Sequence, residues 1–402
     1  MANILLLTHR IPYPPDKGDK IHTFQLLRHL GQRHHLMLGT FVDDPGDEQH
    51  VPQVRSMCAD LHAARLHPSL ACLRSLGGLL RNKPLTVAYY RDASMARWVH
   101  QASARRKVDV VIVHSSTMLQ YAQPVQAPLI ADMNDVDSAK WGDYGRTRRG
   151  PMAWVYRREA VCLLKEERRG AQQARLSLFA TRREAALFRS LAPESAARVD
   201  VLGNGVDTVY FEALADRLSP YASGELPIVF VGTMDYHPNV DAVCWFAEKI
   251  LPLLRKRWPQ VHFHIVGRNP TAAVRALAGI DVTVAGVVPD VRPWLQHAAA
   301  VVAPLRVVRG IINKALEAMA MSRPMVTTAA CAESLQAGDG QHLLVAADEA
   351  GFVSQLERLF SDRGRAEELG QAARRFVCST YSWAERMARL DRYLAQAAGI
   401  RA

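Results

Sequence analysis

The chain has 402 residues, long enough for two domains with sizeable cores. Its residues are 49% hydrophobic, yet no apolar run approaches the roughly 18 residues needed to span a bilayer, which excludes an integral helical membrane protein and predicts a globular one. A formal charge of +11 asks for an anionic partner or a basic surface.

The first predicted strand is Ile4 to Leu7. No basic region precedes it, and Thr8, His9 and Arg10 interrupt it, so it does not read as a signal peptide. The six cysteines are scattered without a C-x-x-C pair, which argues against a disulfide framework and a zinc site. A reducing cytoplasm fits.

After this strand come a polar loop (Asp16, Lys17, Gly18, Asp19, Lys20), a helix, a short break and the strand-like HLMLGTFV. The same plan recurs in the second half as PIVFVGTMDYHPNVDAVCWFAEKILPLLRKRWPQVHFHIVG. Continuous apolar strands alternating with helices predict parallel sheets covered on both faces. The expected fold is α/β, with two Rossmann-like domains facing across a cleft. Further strands are predicted at Val108 to Val113, Leu129 to Asp132 and Leu176 to Ala180, then at Ile280 to Ala285, Ala299 to Ala303 and Met325 to Thr328. A long helix should run from about Pro151 to about Gln173. Residues 206–226, rich in Gly, Pro, Ser and acidic residues, read as the linker between an amino-terminal domain (1–205) and a carboxy-terminal domain (227–380). A helical tail at about 381–402 could pack back on the first domain.

The positive charge concentrates between Lys140 and Arg183, where apolar residues such as Trp154, Val155, Tyr156 and Val161 interleave with it. An anionic membrane surface is one partner that fits, which would make the protein peripheral on the inner face of the plasma membrane. Nucleic acid is disfavoured, because no recognised binding signature accompanies the charge. A solvated helix face remains an equal alternative.

Open parallel sheets bind ligands beyond the carboxyl ends of their strands, which places the candidate polar residues. In the first half these are the Gly18, Asp19, Lys20 loop; His114 with Ser115 and Ser116; and Asp132, Asn134, Asp135 and Asp137. His114 could meet substrate or simply cap its strand. The aspartates could form a metal cluster, but they read better as turn and helix caps. In the second half the candidates are Gly232, Thr233, Met234, Asp235, His237 and Asn239; Gly267 and Arg268; Gly286 to Asp290; and RGIINKALEAMAMSRPMV from Arg309. This last segment reads as a glycine loop opening a helix near Ile311. Its free N–H groups, helix dipole and Lys314 would attract a phosphate. Glu317 lies roughly 10 Å along the axis from Gly310, at about 1.5 Å rise per residue, on the face of Lys314. That spacing suits a diphosphate and a ribose, although an ordinary surface helix would carry the same residues. No G-x-G-x-x-G follows a strand, which disfavours a nicotinamide-dependent oxidoreductase.

Five blocks in order carry a family resemblance: GNGVDTVYF (Gly203–Phe211), FVGTMDYHPNVDAVCWF (Phe230–Phe246), HFHIVGRNP (His262–Pro270), AGVVPDVRPWL (Ala285–Leu295) and NKALEAMAMSRPMV (Asn313–Val326). With PYPPDKGDKIHTFQLLRHL near the amino terminus and ADMNDVDSAKW in the middle, the chain resembles the retaining GT-B glycosyltransferases of glycosyltransferase family 4, and within them the exopolysaccharide-type sugar transferases. The resemblance implies a nucleotide-sugar donor (UDP or GDP) in the carboxy-terminal domain, a glycan or polyprenyl-linked acceptor at the amino-terminal domain, and retention at the anomeric carbon. No cofactor and no metal are expected. Carried over by position, Glu317 would hold the ribose, the N–H groups of Gly310, Ile311 and Ile312 the diphosphate, and Arg268 with the backbone near Val288 the base. His114 would approach the donor sugar, and the Gly18 loop the diphosphate and acceptor.

The chain also departs from the family pattern. Arg309 stands where a first glutamate is usual, Ile312 and Ser322 replace glycines, and Thr233 and Asn239 lie near the places of an Arg and a Lys that bind the diphosphate. Arg309 and Lys314 could restore those cations from the helix start. A catalytically silent scaffold of a polysaccharide assembly complex, or a nucleotide-sugar epimerase of similar fold, would be the alternative readings.

Overall fold

The computed structural model describes residues 1–80, 83–308 and 310–400. The chain forms two compact units: Met1–Asn204 together with the chain from Arg386 onward, and Gly205–Glu385. Each is a parallel sheet covered by helices, as the alternating strands and helices of the sequence demand.

The amino-terminal sheet has seven strands: β1 (Asn3–Thr8), β2 (His35–Val42), β3 (Asp60–Arg65), β4 (Val110–His114), β5 (Leu129–Asn134), β6 (Leu176–Phe179) and β7 (Val199–Val201), in the order β3-β2-β1-β4-β5-β6-β7. The central strands β1 and β4 are apolar and buried almost throughout, as both faces of the sheet are covered. The order reverses between β1 and β4, so the connections leaving their carboxyl ends diverge and open a crevice above Thr8 and His114.

The carboxy-terminal sheet has six: β8 (Leu226–Val231), β9 (Val261–Val266), β10 (Val282–Gly286), β11 (Ala300–Ala303), β12 (Met325–Thr327) and β13 (Leu344–Val345), in the order β10-β9-β8-β11-β12-β13. Here the reversal falls between β8 and β11. Fully buried Phe230, Phe246, Phe263 and Phe352 anchor the core beneath it. The long helix spans Pro151–Gln173, with Pro151 in its first turn.

The segment 206–226 is more than a spacer. Arg374 donates from Nη1 to the Phe211 carbonyl at 3.0 Å, Leu214 N–H donates to Gln296, and Arg292 stacks over the Tyr210 ring, so the segment is tied to the carboxy-terminal unit. The last helix, Trp383–Ala398, runs from one unit into the other. Beyond Arg386 it belongs with the first, where Asp391 meets His29 at 2.7 Å and the Tyr393 hydroxyl donates to the Val201 carbonyl. Among the described residues no helix is long and apolar enough to cross a membrane.

One backbone contact shapes the crevice of the carboxy-terminal unit. Gly267, just past β9 with φ +150°, lies so close to the end of β8 that a Cβ there would fall 1.7 Å from the Gly232 carbonyl oxygen. Only glycine permits this approach. Gly232 in turn faces the Lys314 ammonium, which a Cβ on Gly232 would meet at 2.5 Å.

Candidate active site

In the carboxy-terminal unit the carboxyl ends of β8, β9 and β11 converge on the helix Asn313–Ala320. This helix starts two residues later than the sequence predicts. Gly310 takes φ +67° and Ile312 has φ −91° and ψ 87°, so the chain reaches Asn313 in a non-helical conformation. Ile311 and Ile312 pack against the core instead of opening the helix. The N–H groups of Ala315 and Leu316 donate to the Ile312 carbonyl, so those of Asn313 and Lys314 are the first-turn groups without an intrahelical acceptor.

Lys314 dominates this crevice. Its Nζ donates to Asn239 Oδ1 at 2.6 Å and sits 4.1 Å from the centroid of the Phe230 ring. Asn239 is buried and fixed by its own Nδ2, which donates to the Thr233 carbonyl at 2.8 Å. Among the described residues Lys314 makes no salt bridge. Burial brings its pKa down to about 7, against a smaller opposing pull from Cys331 and Glu317. Glu317, one turn on, is pushed up to about 7 by the same desolvation, which Lys314 only partly offsets. A cation and a carboxylate, both with their charged forms disfavoured by desolvation, thus face a crevice lined by glycine backbone. Asn313 Oδ1 is buried there without a protein partner among the described residues. A buried orphan acceptor beside an uncompensated cation is what a site for a polar anionic ligand looks like.

Other sequence candidates fall into two groups. Arg268 and Val288 lie half-buried on the loops after β9 and β10, and Thr233 beside Gly232 on the loop after β8. Met234 does not belong with them. Its side chain is fully buried in the core and its N–H donates to the Arg268 carbonyl, so it shapes the loop without facing a ligand. Arg309 lies outside the described residues.

In the amino-terminal unit the crevice holds a histidine stack. His114, at the end of β4, lies between the rings of His9 (centroids 5.7 Å) and His22 (5.3 Å). Asp132 Oδ2 accepts from His114 Nδ1 and from His22 Nε2, both at 2.8 Å, and all three residues are buried. Asp132 is therefore neither a turn nor a helix cap. Burial alone would raise its pKa, but the two imidazoles outweigh it and hold the carboxyl well below its usual range. Burial opposes charge on His114 as well, yet Asp132 prevails and the imidazole pKa is raised. His9 is the reverse case, lowered chiefly by burial although Asp19 lies 3.4 Å from its Nε2. Asp19 also binds Arg10 Nη1 at 2.7 Å. Both rings aim at one oxygen of Asp132, and the three side chains bring their donor atoms within 4.8 Å of one another.

Of the remaining sequence candidates, Lys20 is corrected by the structure. It is 2% exposed and its Nζ donates to Asp47 Oδ2 at 2.6 Å, a buried ion pair that fastens the first helix and leaves nothing for an acceptor. Gly18 opens that helix, and its carbonyl accepts from Asn204 at 3.2 Å. Asn134 takes φ +64° at the end of β5, and Asp135 follows it. His9 and His22 escape sequence reasoning. His9 ends a predicted strand and could have been noted, but nothing marks His22 within KIHTFQLL as a buried polar residue.

Residues 225–362 match the family model described as Glycosyl transferases group 1, a match that lies wholly within the carboxy-terminal unit. No curated protein matches the sequence significantly. Solved structures resemble it along nearly its full length. Sucrose-phosphate synthase from Thermosynechococcus elongatus has 16% identity and a TM-score of 0.70, covering 98% of this chain and 99% of its own. Anabaena HepE in complex with UDP has 15% identity and a TM-score of 0.68, covering 98% and 100%. WaaG, a glycosyltransferase involved in lipopolysaccharide biosynthesis, has 16% identity and a TM-score of 0.60, covering 96% and 99%. The fold is thus that of the GT-B glycosyltransferase structures, two Rossmann-like units of parallel sheet and helix.

The Asp132 cluster generates a stability prediction. A carboxylate with depressed folded pKa stabilises above its unfolded value near 4, and this is lost as pH falls. A histidine with raised folded pKa stabilises below about 6.5, and this is lost as pH rises through the folded value. The cluster should therefore contribute most between about pH 4 and 6.5. Asp132→Asn should cost about 3–5 kcal/mol in denaturant unfolding at pH 6, as expected when one partner leaves a buried charged cluster. The gap from wild type should narrow below pH 4. A pH-independent gap, or one under about 1 kcal/mol, would contradict this assignment.

Proposed function

We propose that the chain is a retaining glycosyltransferase that moves a sugar from a nucleoside diphosphate donor to a glycan or lipid-linked glycan acceptor, in exopolysaccharide synthesis. The observation that carries this reading is the half-buried Lys314 at the switch point of the carboxy-terminal sheet, its ammonium held by Asn239 and making no salt bridge among the described residues. The group 1 glycosyltransferase match over the same unit and the UDP complex of HepE support it. Lys314 and the first-turn N–H groups of its helix take the diphosphate, Glu317 accepts from the ribose hydroxyls, and Arg268 with the backbone near Val288 flanks the base. As the glycosidic bond breaks, negative charge grows on the leaving diphosphate, so a fixed cation and helix start favour the transition state over the ground state. This charge supply needs no metal. His114, oriented by Asp132, is assigned to the transferred sugar. The departing phosphate oxygen takes the acceptor proton on the face from which it leaves.

The test is diphosphate release from a panel of UDP- and GDP-sugars, with and without polyprenyl-linked acceptor. Acceptor-dependent release is expected from one donor, with the anomeric configuration retained in the product. Glu317→Ala should weaken nucleotide affinity about 10- to 100-fold, the value of hydrogen bonds to a charged acceptor. No release with any pair would favour the scaffold reading, and altered donor sugar without acceptor the epimerase.

We also propose that the amino-terminal unit rests on an anionic membrane surface. The helix Pro68–Leu80 carries Leu70, Leu73 and Leu76 on one exposed stripe, with Leu73 68% exposed. The helix Pro151–Gln173 exposes Trp154 (61%) and Val161 among Arg157, Lys165 and Arg168. Arg158 Nη2 donates to the Gly78 carbonyl at 2.8 Å and ties the two helices together. Apolar side chains interleaved with cations suit the headgroup layer of anionic lipid. The protein should co-sediment with phosphatidylglycerol vesicles at 0.1 M salt and much less with phosphatidylcholine. Leu73→Glu with Trp154→Glu should reduce partitioning at least about tenfold, since several kcal/mol of apolar insertion are removed. Equal binding by this variant would refute the surface.

A further inference from the structure

A second polar cluster lies in the carboxy-terminal unit, away from the strand ends that form the donor crevice. A strand buried on both faces should be apolar throughout, and on one face β9 complies with Val261, Phe263 and Ile265. On the other face it places His262 and His264 side by side, their rings stacked at 4.6 Å. Glu225, the residue before β8, reaches the same spot. Its Oε1 meets His264 Nε2 in a short hydrogen bond and lies 3.8 Å from His262 Nδ1, too far for one.

We propose that Glu225, His262 and His264 form a binding site for a divalent transition-metal ion, Zn²⁺ being the best match. The donor set is two imidazole nitrogens and one carboxylate oxygen, all within 4.8 Å of one another. Tetrahedral Zn²⁺ with bonds of about 2.0–2.2 Å wants its donors roughly 3.3 Å apart. The gap to His262 is slightly wider than that and the His264 contact narrower, so entry of an ion requires the carboxylate oxygen and the two rings to readjust.

The surroundings supply part of what metal ligands require, the Nδ1 of His264 being buried without a protein partner among the described residues. His262 Nε2 lies 2.8 Å from the Thr283 hydroxyl on β10, a partner that fixes the ring with Nδ1 toward Glu225. The other oxygen of Glu225 accepts from the Ala222 N–H at 3.0 Å. The His264 ring packs against Tyr221 (4.7 Å) and Trp294 (5.5 Å). Zn²⁺ would replace the proton that His264 Nε2 now gives to Glu225, that proton moving to Nδ1, and His262 would give up only a lone pair. His262 is partly exposed, so the fourth position opens to water. The ion would clamp the entry to β8 onto β9 near the sheet edge formed by β10.

The experiment uses the full chain stripped with a chelator and titrated with Zn²⁺ against a chromophoric competitor. Wild type should take up one ion with micromolar or tighter affinity and melt at higher temperature for it. His262→Asn and, separately, Glu225→Gln should each weaken uptake at least about 100-fold, with metal-free melting temperatures near wild type for the half-exposed His262 site. Co²⁺ should give visible bands of a tetrahedral nitrogen and oxygen site, without the near-ultraviolet thiolate bands that the free cysteines would produce. Absence of uptake overturns the proposal. So does uptake undiminished in both variants, which would move the ion elsewhere, to the His22, His114 and Asp132 cluster among other places.

Discussion

An ammonium group held against a phenylalanine ring, with an amide oxygen as its protein partner, keeps its charge at a desolvation cost. Lys314 is in that position in the carboxy-terminal unit, over Phe230 and bonded to Asn239. Desolvation disfavours its charge, and the ring quadrupole and the Asn239 carbonyl return only part of the lost hydration. The backbone is built around it. Gly232 lacks the Cβ that would strike Nζ, and Gly267 lacks the Cβ that would strike Gly232. An anion would supply the missing stabilisation and would bring the ammonium back to full charge. The same desolvation leaves Glu317 poised near neutrality, able to accept from hydroxyl groups once ionised.

The two units solve the same topological problem differently. Both place a crevice where the strand order reverses, between β1 and β4 in one and between β8 and β11 in the other. In the amino-terminal unit Asp132 joins two imidazoles and Asp19 pairs with Arg10, while Asp132 Oδ1 is buried without a protein partner among the described residues. In the carboxy-terminal unit Lys314 is bonded to an amide oxygen and makes no salt bridge among the described residues.

The architecture was largely legible because buried parallel strands are continuous apolar runs, and NILLLT, VVIVH and LPIVFV announce themselves. The edge strands β3, β7 and β13 carry no such run, since DLHAAR, VDV and LV are short or half polar. At the site, strand ends located Gly232, His114 and Arg268, but not what each side chain does. Lys20 looks like a loop cation and is instead sealed against Asp47, some 27 positions away, a pairing that no local pattern encodes. The helix starts at Asn313 and not at Ile311, the two isoleucines packing half-buried against the core, a tertiary preference that overrides helix propensity. His22 and the paired His262 and His264 were invisible for a related reason. A polar residue on a buried face is recognised only when its partner from another element is known.

The central claim is that Lys314 is the cation of a diphosphate site, and proton linkage tests it most directly. Free Lys314 titrates near pH 7 and an adjacent diphosphate must raise that value, so binding above neutrality takes up a proton and weakens as pH rises. Glu317, also titrating near 7, is already ionised at pH 8 and adds little there. Calorimetric titration with UDP at pH 8, in two buffers of different ionisation enthalpy, should show net proton uptake on binding. The affinity should fall from pH 8 to pH 9, and the uptake should vanish in Lys314→Met. Tight UDP binding with no proton uptake, or with the same uptake in Lys314→Met, would contradict the account.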